Sequence, residues 1–451
     1  MIPGACLDNL SQAPYTASMR PLVKKLIPSK LFRAIEPYGH LCEAVVLNIW
    51  YGFPGRDLKV IGVTGTNGKT TTTLMIYHML HQAGYRVGLM TTVAYGANED
   101  VRPQLQHMTN VPVRQFMQRL KWMRQRQIEW LVLETTSHAL AQNRVWGVPY
   151  SVAVMTNVTH EHLDYHRTFE NYRDVKVRLF KLAARNREGL RSGVINADDP
   201  SWHFFADVIP NAVTYGIDHG ELRATNIRSS MSGSDFDMKY QTLALHLKVS
   251  LPGKFNVENA LAAAATGVII GLSDKQIIDG LAALKSVEGR MTTIDEGQDF
   301  SVIVDFAHTP DAFEKLFKDL KPNVKGKLLV MFGSPGRRDE AKRVEQGKLA
   351  GQYADEVVIT EEDDRDIDGQ KIMEQIADGA KLAGKVQDKD LFLAHDRIEA
   401  INFVIRRAHQ GDTVLLLGKG HEKTIERADG SHPWDEIATA HQVLQARVKR
   451  A

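Results

Sequence analysis

An α/β protein with two doubly wound sheet domains behind a short, atypical amino-terminal segment is the architecture this sequence predicts. Three observations carry the prediction. Compact apolar runs closed by Gly, Asn, Asp or Thr recur along the chain, as buried parallel strands do. Helical periods separate most of them, the alternation that builds doubly wound sheets. The length of 451 residues is about three times the ~150-residue prior for one domain.

Residues 1–57 break this pattern. They carry Pro at positions 3, 14, 21, 28, 37 and 54 and no strand alternation. Within them Arg20–Arg33 holds five basic residues and no acid, interleaved with Leu22, Val23, Leu26, Ile27, Leu31 and Phe32. Two readings stand: a weak amphipathic contact with anionic lipid, or a helical appendage packed on the domain behind it. Pro28 interrupts the period and favours the second.

The first sheet set follows at 58–288. Its strands are expected at Leu58–Val63, Arg86–Met90, Trp130–Glu134, Ser151–Thr156 and Gly193–Asn196. Helices are expected at Thr72–Ala83, Val113–Arg126 and from Asn256 onward. Gly289–Arg290 reads as the hinge into a second set at 289–451. There the strands are Ser301–Asp305, Lys327–Phe332, Glu356–Thr360, Leu391–Ala394 and Thr413–Leu417, and the helices include Asp311–Leu320 and Lys371–Leu382.

Composition narrows the function classes. Lys and Arg total 56 against 54 Asp and Glu, a net charge of +2, so no global field points to nucleic acid. Two cysteines, Cys6 and Cys42, cannot form a disulfide framework or a four-cysteine zinc site. The longest nearly apolar run, Ala260–Leu272, is shorter than the ~20 residues that span a bilayer. No signal-peptide pattern opens the chain, and a cytoplasmic location is the expectation.

The strongest functional signal is Gly62-Val-Thr-Gly65-Thr66-Asn67-Gly68-Lys69-Thr70-Thr71, after a strand and before a helix. Glycines let backbone N–H groups approach phosphate oxygens. Lys69 supplies a point charge, and the Thr70 hydroxyl suits Mg²⁺. A strict phosphate loop would have Gly where Val63 stands, so this is a variant form. Glu134 closes a strand, where parallel sheets collect ligands, and an acid there commonly serves the metal of a nucleotide. Downstream, His160-Glu161-His162 and His166 match no zinc signature. His162 is read as a Mg²⁺ ligand, with His160 and His166 outside the first set of contacts.

Together these motifs resemble the Mur ligases, ATP-dependent amide ligases of peptidoglycan precursor synthesis. The resemblance rests on Gly62–Thr73, Glu134-Thr-Thr-Ser-His138, Gln142-Asn-Arg144, Thr156-Asn157 and His162-Leu-Asp164-Tyr-His. Phe255-Asn256-Val-Glu-Asn259, Gly289-Arg290-Met291, Asp305-Phe-Ala-His308-Thr-Pro-Asp311 and Gly418-Lys-Gly-His-Glu422 continue it. The last three are similar to the MurE branch, which adds the third residue of the stem peptide. The resemblance implies a central ATPase domain and a Rossmann-like carboxy-terminal domain that swings in. It implies ATP held by Gly65–Thr71 with Asn157, Asn259, Arg290, His308 and Asp311 around it. It implies Mg²⁺ on Thr70, Glu134, His162 and a carbamylated Lys176, and an acceptor peptide at Thr109, Thr136, Gln142 and Arg144. The chemistry it implies activates a carboxylate as an acyl phosphate, which the incoming amine then attacks. A monomer acting on small molecules is the expected form.

Two departures leave alternatives open. Residues 1–57 are far shorter than the family's UDP-binding domain, so a non-UDP-linked acceptor stays open. The family's Asp-Asn-Pro-Arg motif appears as Glu362-Asp363-Asp364-Arg365. Arg365, Gly418 and Glu422 suit meso-diaminopimelate, but Asp363, Asp364 and Asp366 could neutralise Arg365 and leave L-lysine preferred. Three rivals fit less well. A folylpolyglutamate synthase lacks the carboxy-terminal motifs, an amidotransferase subunit of the family carries a four-cysteine zinc ribbon, and a nucleotide switch needs no amine site.

Overall fold

The computed structural model describes residues 29–104, 108–230 and 232–448. Most of Arg20–Arg33, with its lipid-contact reading, lies outside the described residues, as does Cys6. Where no strand pattern was legible the chain forms helix α1 (Ser29–Trp50), with Pro37 inside it. It packs on α3 (Val113–Gln125) through Ala44 and Leu47, and Asn48 Nδ2 donates to the Trp146 carbonyl at 3.2 Å.

One 11-stranded sheet follows, ordered β11-β10-β9-β8-β7-β6-β1-β5-β2-β3-β4. Its parallel centre is β1 (Lys59–Thr64), β2 (Val87–Met90), β5 (Trp130–Glu134), β6 (Tyr150–Met155), β7 (Ser192–Asn196) and β8 (Asn211–Gly216). Successive residues of these strands enter opposite layers. Ile61, Val63, Val132 and Val154 pack under α2 (Lys69–Gln82), while Val60, Leu131, Leu133 and Met155 face α3 and α6 (Phe169–Arg185). Two covered faces explain why these strands read as continuous apolar runs. Between β5 and α6 lie the short helices α4 (Ser137–Ala141) and α5 (Leu163–His166).

The sheet edges are antiparallel, and sequence pattern did not reveal them. On one side β3 (Ala94–Ala97) and β4 (Asp100–Pro103) form a hairpin; on the other run β9 (Leu222–Ser230), β10 (Gly233–Tyr240) and β11 (Leu243–Val249). One face of β9 and β11 meets water, so polar residues dilute their apolar content. The Ala-rich α7 (Lys254–Ile270) and α8 (Asp274–Ala283) close this layer. The capping box of Ser273 and Gln276 starts α8.

The second sheet is ordered β12-β13-β17-β14-β15-β16. The members are β12 (Thr292–Ile294), β13 (Ser301–Asp305), β14 (Leu328–Phe332), β15 (Glu356–Ile359), β16 (Leu391–Leu393) and β17 (Thr413–Leu417). All pairings but β12–β13 are parallel. Helices α9 (Pro310–Leu320), α10 (Ala341–Tyr353) and α11 (Gly369–Leu382) cover one face, and α12 (Arg397–Arg407) and α13 (Glu436–Val448) the other. A buried ion pair, Arg397 to both oxygens of Glu436 at 2.8 and 2.7 Å, joins those last two helices. No helix among the described residues is long and apolar enough to cross a membrane.

Candidate active site

The site lies where the carboxyl ends of both sheets face each other, around a cavity of about 780 Å³. Its floor is the loop between β1 and α2. Gly68 adopts φ 80°, and a Cβ there would lie 2.3 Å from Asn259 Oδ1, so only glycine fits. The Thr66 N–H donates to the Asn157 carbonyl at 2.8 Å, and the Asn67 N–H to Asn157 Oδ1 at 2.9 Å. Thr156 Oγ1 in turn donates to the Asn67 carbonyl at 2.6 Å. The end of β6 therefore braces the loop that follows β1.

Helix α2 opens at Lys69, three residues before the expected start. Lys69 Nζ does not stand out into solvent; it folds back to the Thr66 carbonyl at 2.8 Å and is half-buried. Burial pulls its amine below the usual lysine range, against the charges of Glu134 and Glu161. Thr70 Oγ1 donates to Glu134 Oε2 at 2.9 Å, and the Glu134 carboxylate also accepts the Thr92 N–H and hydroxyl, each at 3.0 Å. Hydroxyl and carboxylate thus form the adjacent pair of hard oxygen donors that Mg²⁺ prefers.

Of the remaining expected metal ligands, His162 lines the same cavity as that pair, and Lys176 lies within reach of the Glu134 charge. His162 has φ 55° at the head of α5, 3.9 Å from Glu161 Oε1 and edge-on to His138. Lys176 lies behind the loop, fully buried, over the Tyr172 ring, and donates to the Gly65 carbonyl at 2.6 Å. Burial, reinforced by Lys69, holds its amine well below the usual range. A neutral amine is the form that adds CO₂, and only the resulting carbamate would offer oxygen to a metal. Among the described residues, the one group of three acids or histidines close enough to share an ion is elsewhere: Glu361, Asp364 and His395. Arg427 binds both Glu361 oxygens at 2.6 and 2.9 Å, and His395 lies 2.9 Å from Asp364, so each acid of that group already has a partner.

The second sheet completes the nucleotide side. Asp311, in the first turn of α9, accepts from Asn67 Nδ2 at 2.7 Å, a direct tie between the two sheets' loops. His308 Nε2 stands 3.4 Å from Glu161. Burial alone would raise the Glu161 carboxyl, but His162, His308 and Lys342 together hold it well below the usual range. Arg290 lies 4.4 Å over the Phe306 ring, with its Nε buried and unbonded. It also lines a second, adjoining cavity of about 90 Å³ with Asn157, Phe255, Asn256 and Asn259.

Of the expected acceptor residues, Thr109 and Thr136 face the large cavity, whereas Gln142 and Arg144 are buried behind its wall. Arg144 donates to the Asn110 carbonyl at 2.6 Å. Asn110 Oδ1 receives the Thr136 hydroxyl at 2.8 Å, and its Nδ2 donates to the Glu134 carbonyl at 2.8 Å. Arg144 therefore contacts the backbone of Asn110, a residue sequence reasoning missed, rather than the cavity.

Another wall of the cavity, where the amine-side residues were expected, is built from the loops after β15 and β17. Arg365, at φ 57°, donates from Nη1 to the Gly336 carbonyl at 2.5 Å, and its Nη2 lies 3.8 Å from Asp363. The neighbouring acids are engaged elsewhere: Asp363 by Lys419 at 2.8 Å, Asp364 by His395, and Asp366 by Arg337. Lys419 also pairs Glu422 at 2.7 Å and is fully buried. Glu362 Oε2 is buried with no hydrogen-bond partner, and burial raises its carboxyl. It lies so close to Gly418, φ 102°, that a Cβ there would approach it to 2.8 Å. Thr92, Glu161, Glu362 and Lys419 were missed as site residues. Thr92 stands just past a strand's carboxyl end, and the other three lie within quoted motifs; that position was the available signal.

Residues 63–267 match the Mur ligase middle domain and residues 289–420 the Mur ligase glutamate ligase domain. The chain belongs to the Mur ligase family. It is therefore an ATP-dependent, ADP-forming ligase. It is 39% identical over 420 residues to the UDP-N-acetylmuramyl-tripeptide synthetase of Roseiflexus sp. (strain RS-1), covering 90% of this chain and 82% of the relative. It is 36% identical over 419 residues to UDP-N-acetylmuramoyl-L-alanyl-D-glutamate--2,6-diaminopimelate ligase 1 of Clostridium acetobutylicum, covering 92% and 83%. A solved 2,6-diaminopimelate ligase of the same description superposes with TM-score 0.60 at 30% identity, over 87% of this ligase and 79% of that chain. The Mycobacterium tuberculosis folylpolyglutamate synthase shares the fold alone, with TM-score 0.69 at 16% identity over 84% and 92%.

Proposed function

We propose that this ligase adds the third amino acid, meso-diaminopimelate, to a UDP-MurNAc-L-Ala-D-Glu-type acceptor. The observation that carries the choice of amino acid is the partnering of the acids around Arg365. Asp363 holds Lys419, Asp366 holds Arg337 and Asp364 is hydrogen-bonded to His395, which supports a planar fork able to grip a distal carboxylate. Glu362, unbonded at Oε2, and Glu422 suit the ammonium beside that carboxylate. Lysine would satisfy the acids but bring no carboxylate to the arginine.

When bound, ATP supplies the phosphoryl group that turns the acceptor carboxylate into an acyl phosphate, and Mg²⁺ the charge that lets two anions meet. In this reading Thr70 and Glu134 hold the ion, with His162 and carbamylated Lys176 adding ligands around the phosphates. Lys69 leaves the Thr66 carbonyl to meet the phosphates, and the amides of Gly65–Thr71 cradle them. Asn157, Asn259, Arg290, His308 and Asp311 surround the nucleotide. Thr109 and Thr136 orient the acceptor peptide, with Gln142 and Arg144 supporting from behind. Closure of the second sheet domain over the loop excludes water from the acyl phosphate. ATP and a nucleotide-linked acceptor are cytoplasmic pools, and all the proposed residues come from one chain, so a cytoplasmic monomer suffices. ADP release should require acceptor and amino acid together, with a condensed product by mass spectrometry. ADP release at full rate without the amino acid would refute the ligase reading.

A further inference from the structure

Helix α1 carries a feature that catalysis does not use. Its inner face, Ala44, Leu47 and Asn48, packs on the body of the protein, while Ile35, Tyr38, Cys42, Val46 and Ile49 point outward at spacings of three and four, with Trp50 beside Ile49. Trp50 is 82% exposed, Tyr38 69% and Ile49 63%, and Phe53 extends the stripe at 43%. Scattered exposed apolar residues are ordinary, but a continuous helical stripe of this length is not.

Beside the stripe runs α3, whose sequence from Val113 to Ile128 contains no acid. Arg114 joins Val46 and Trp50 in lining a shallow cleft, and Lys121 Nζ lies 5.7 Å over the Tyr51 ring. Arg124 binds Asp57 at 2.8 Å, and Arg126, just past the helix's end, lies over the Trp122 ring and 3.9 Å from Asp100. The acids near this face, among the described residues, are Asp57, held by Arg124, Asp100 beside Arg126, and on α1 itself Glu36 and Glu43, the latter lining the same cleft 3.5 Å from His40. The sequence leading into α1, Arg20–Arg33, adds five basic residues and no acid.

We propose that the outward face of α1, with the basic flank of α3, binds the surface of an anionic lipid bilayer. Tyr38 and Trp50, toward the two ends of the stripe, have the apolar body and polar edge that settle at headgroup level. Cations flanking an apolar helix face are the pattern of interfacial helices. A second copy of the chain is the poorer occupant. A two-fold contact through the stripe would bring both α3 flanks, rich in arginine and without acids, toward each other.

Sedimentation of the full chain with vesicles tests this. Binding is expected to phosphatidylcholine vesicles containing phosphatidylglycerol, weaker at high salt, and absent with phosphatidylcholine alone. The doubles Ile49→Glu/Trp50→Glu and Arg114→Glu/Lys121→Glu should each lower partitioning by about tenfold or more. Thermal midpoint and ligation of a soluble acceptor should be unchanged in both, which separates lost binding from lost folding. No binding by the parent chain, or binding that both doubles retain, would overturn the proposal. So would a dimer on size-exclusion chromatography that the apolar double breaks while vesicle binding persists.

Discussion

Lys419→Met offers a test of the amine side that needs no substrate. Lys419 is fully buried and bridges Asp363 and Glu422 at 2.8 and 2.7 Å, and these carboxylates are themselves largely buried. Removing the cation takes from both acids the buried counter-charge they share, with Arg365 3.8 Å from Asp363 as a more distant one. Breaking a buried pair this way costs about 3–5 kcal/mol. For a unit of this size that corresponds to a fall in melting midpoint of roughly 6–20 °C. The sign of the pH dependence is also fixed. In the parent, Lys419 sits above the usual lysine range because Glu422 and Asp363 outweigh burial. That contribution is complete below the unfolded lysine value and fades only as pH rises through the folded one. In the variant the stranded acids bind protons more readily folded than unfolded, so stability should rise as pH falls from about 7 toward 5. Adding Asp363→Asn should recover part of the loss. Calorimetry on the three proteins across pH is the assay. A midpoint within about 2 °C of the parent, unaffected by pH, would refute the bridge.

Three further outcomes follow from the nucleotide side. Lys69→Ala should abolish product formation while the protein stays folded, since the side chain's one direct bond is to its own loop; near-normal ligation would refute its assignment. Lys176→Ala should be inactive and partly rescued by acetate, with the parent, under CO₂, heavier by one carbamate in native mass spectrometry; an unmodified, fully active parent would contradict this. Gly68→Ala should weaken ATP binding at least tenfold, because its Cβ would press on Asn259 Oδ1 at 2.3 Å and its φ of 80° costs a further ~1 kcal/mol. Fluorescent-nucleotide titration reads the loss, and unchanged affinity would show that the loop tolerates a side chain.

The parallel strands were legible because burial on both faces leaves an unbroken apolar run. Trp130–Glu134, Ser301–Asp305 and Thr413–Leu417 fall on the expected residues. Strands β9–β11 were not, because one solvated face mixes charge into every second position. Helix α1 was hidden by Pro37 and by an apolar stripe that faces outward instead of into a core. At the site, the loop and Glu134 were legible because phosphate and metal chemistry restrict residue types at a strand's end. Asn110, Glu161 and Lys419 were not, because their roles depend on partners 24 to 147 residues away. The three acids around Arg365 could be counted in the sequence, but their partners His395, Lys419 and Arg337 appear only in the fold. That difference decides whether the arginine is neutralised.

Selection of the added amino acid by the Arg365 fork is open to direct competition. Equal meso-diaminopimelate and L-lysine should be offered together to the parent and to Arg365→Ala, with products separated by mass. The parent is expected to incorporate diaminopimelate, and the variant to lose about tenfold to a hundredfold of that preference, the ~1.5–3 kcal/mol of one charge-assisted contact. A parent that prefers lysine, with its selectivity unchanged in Arg365→Ala, would contradict it.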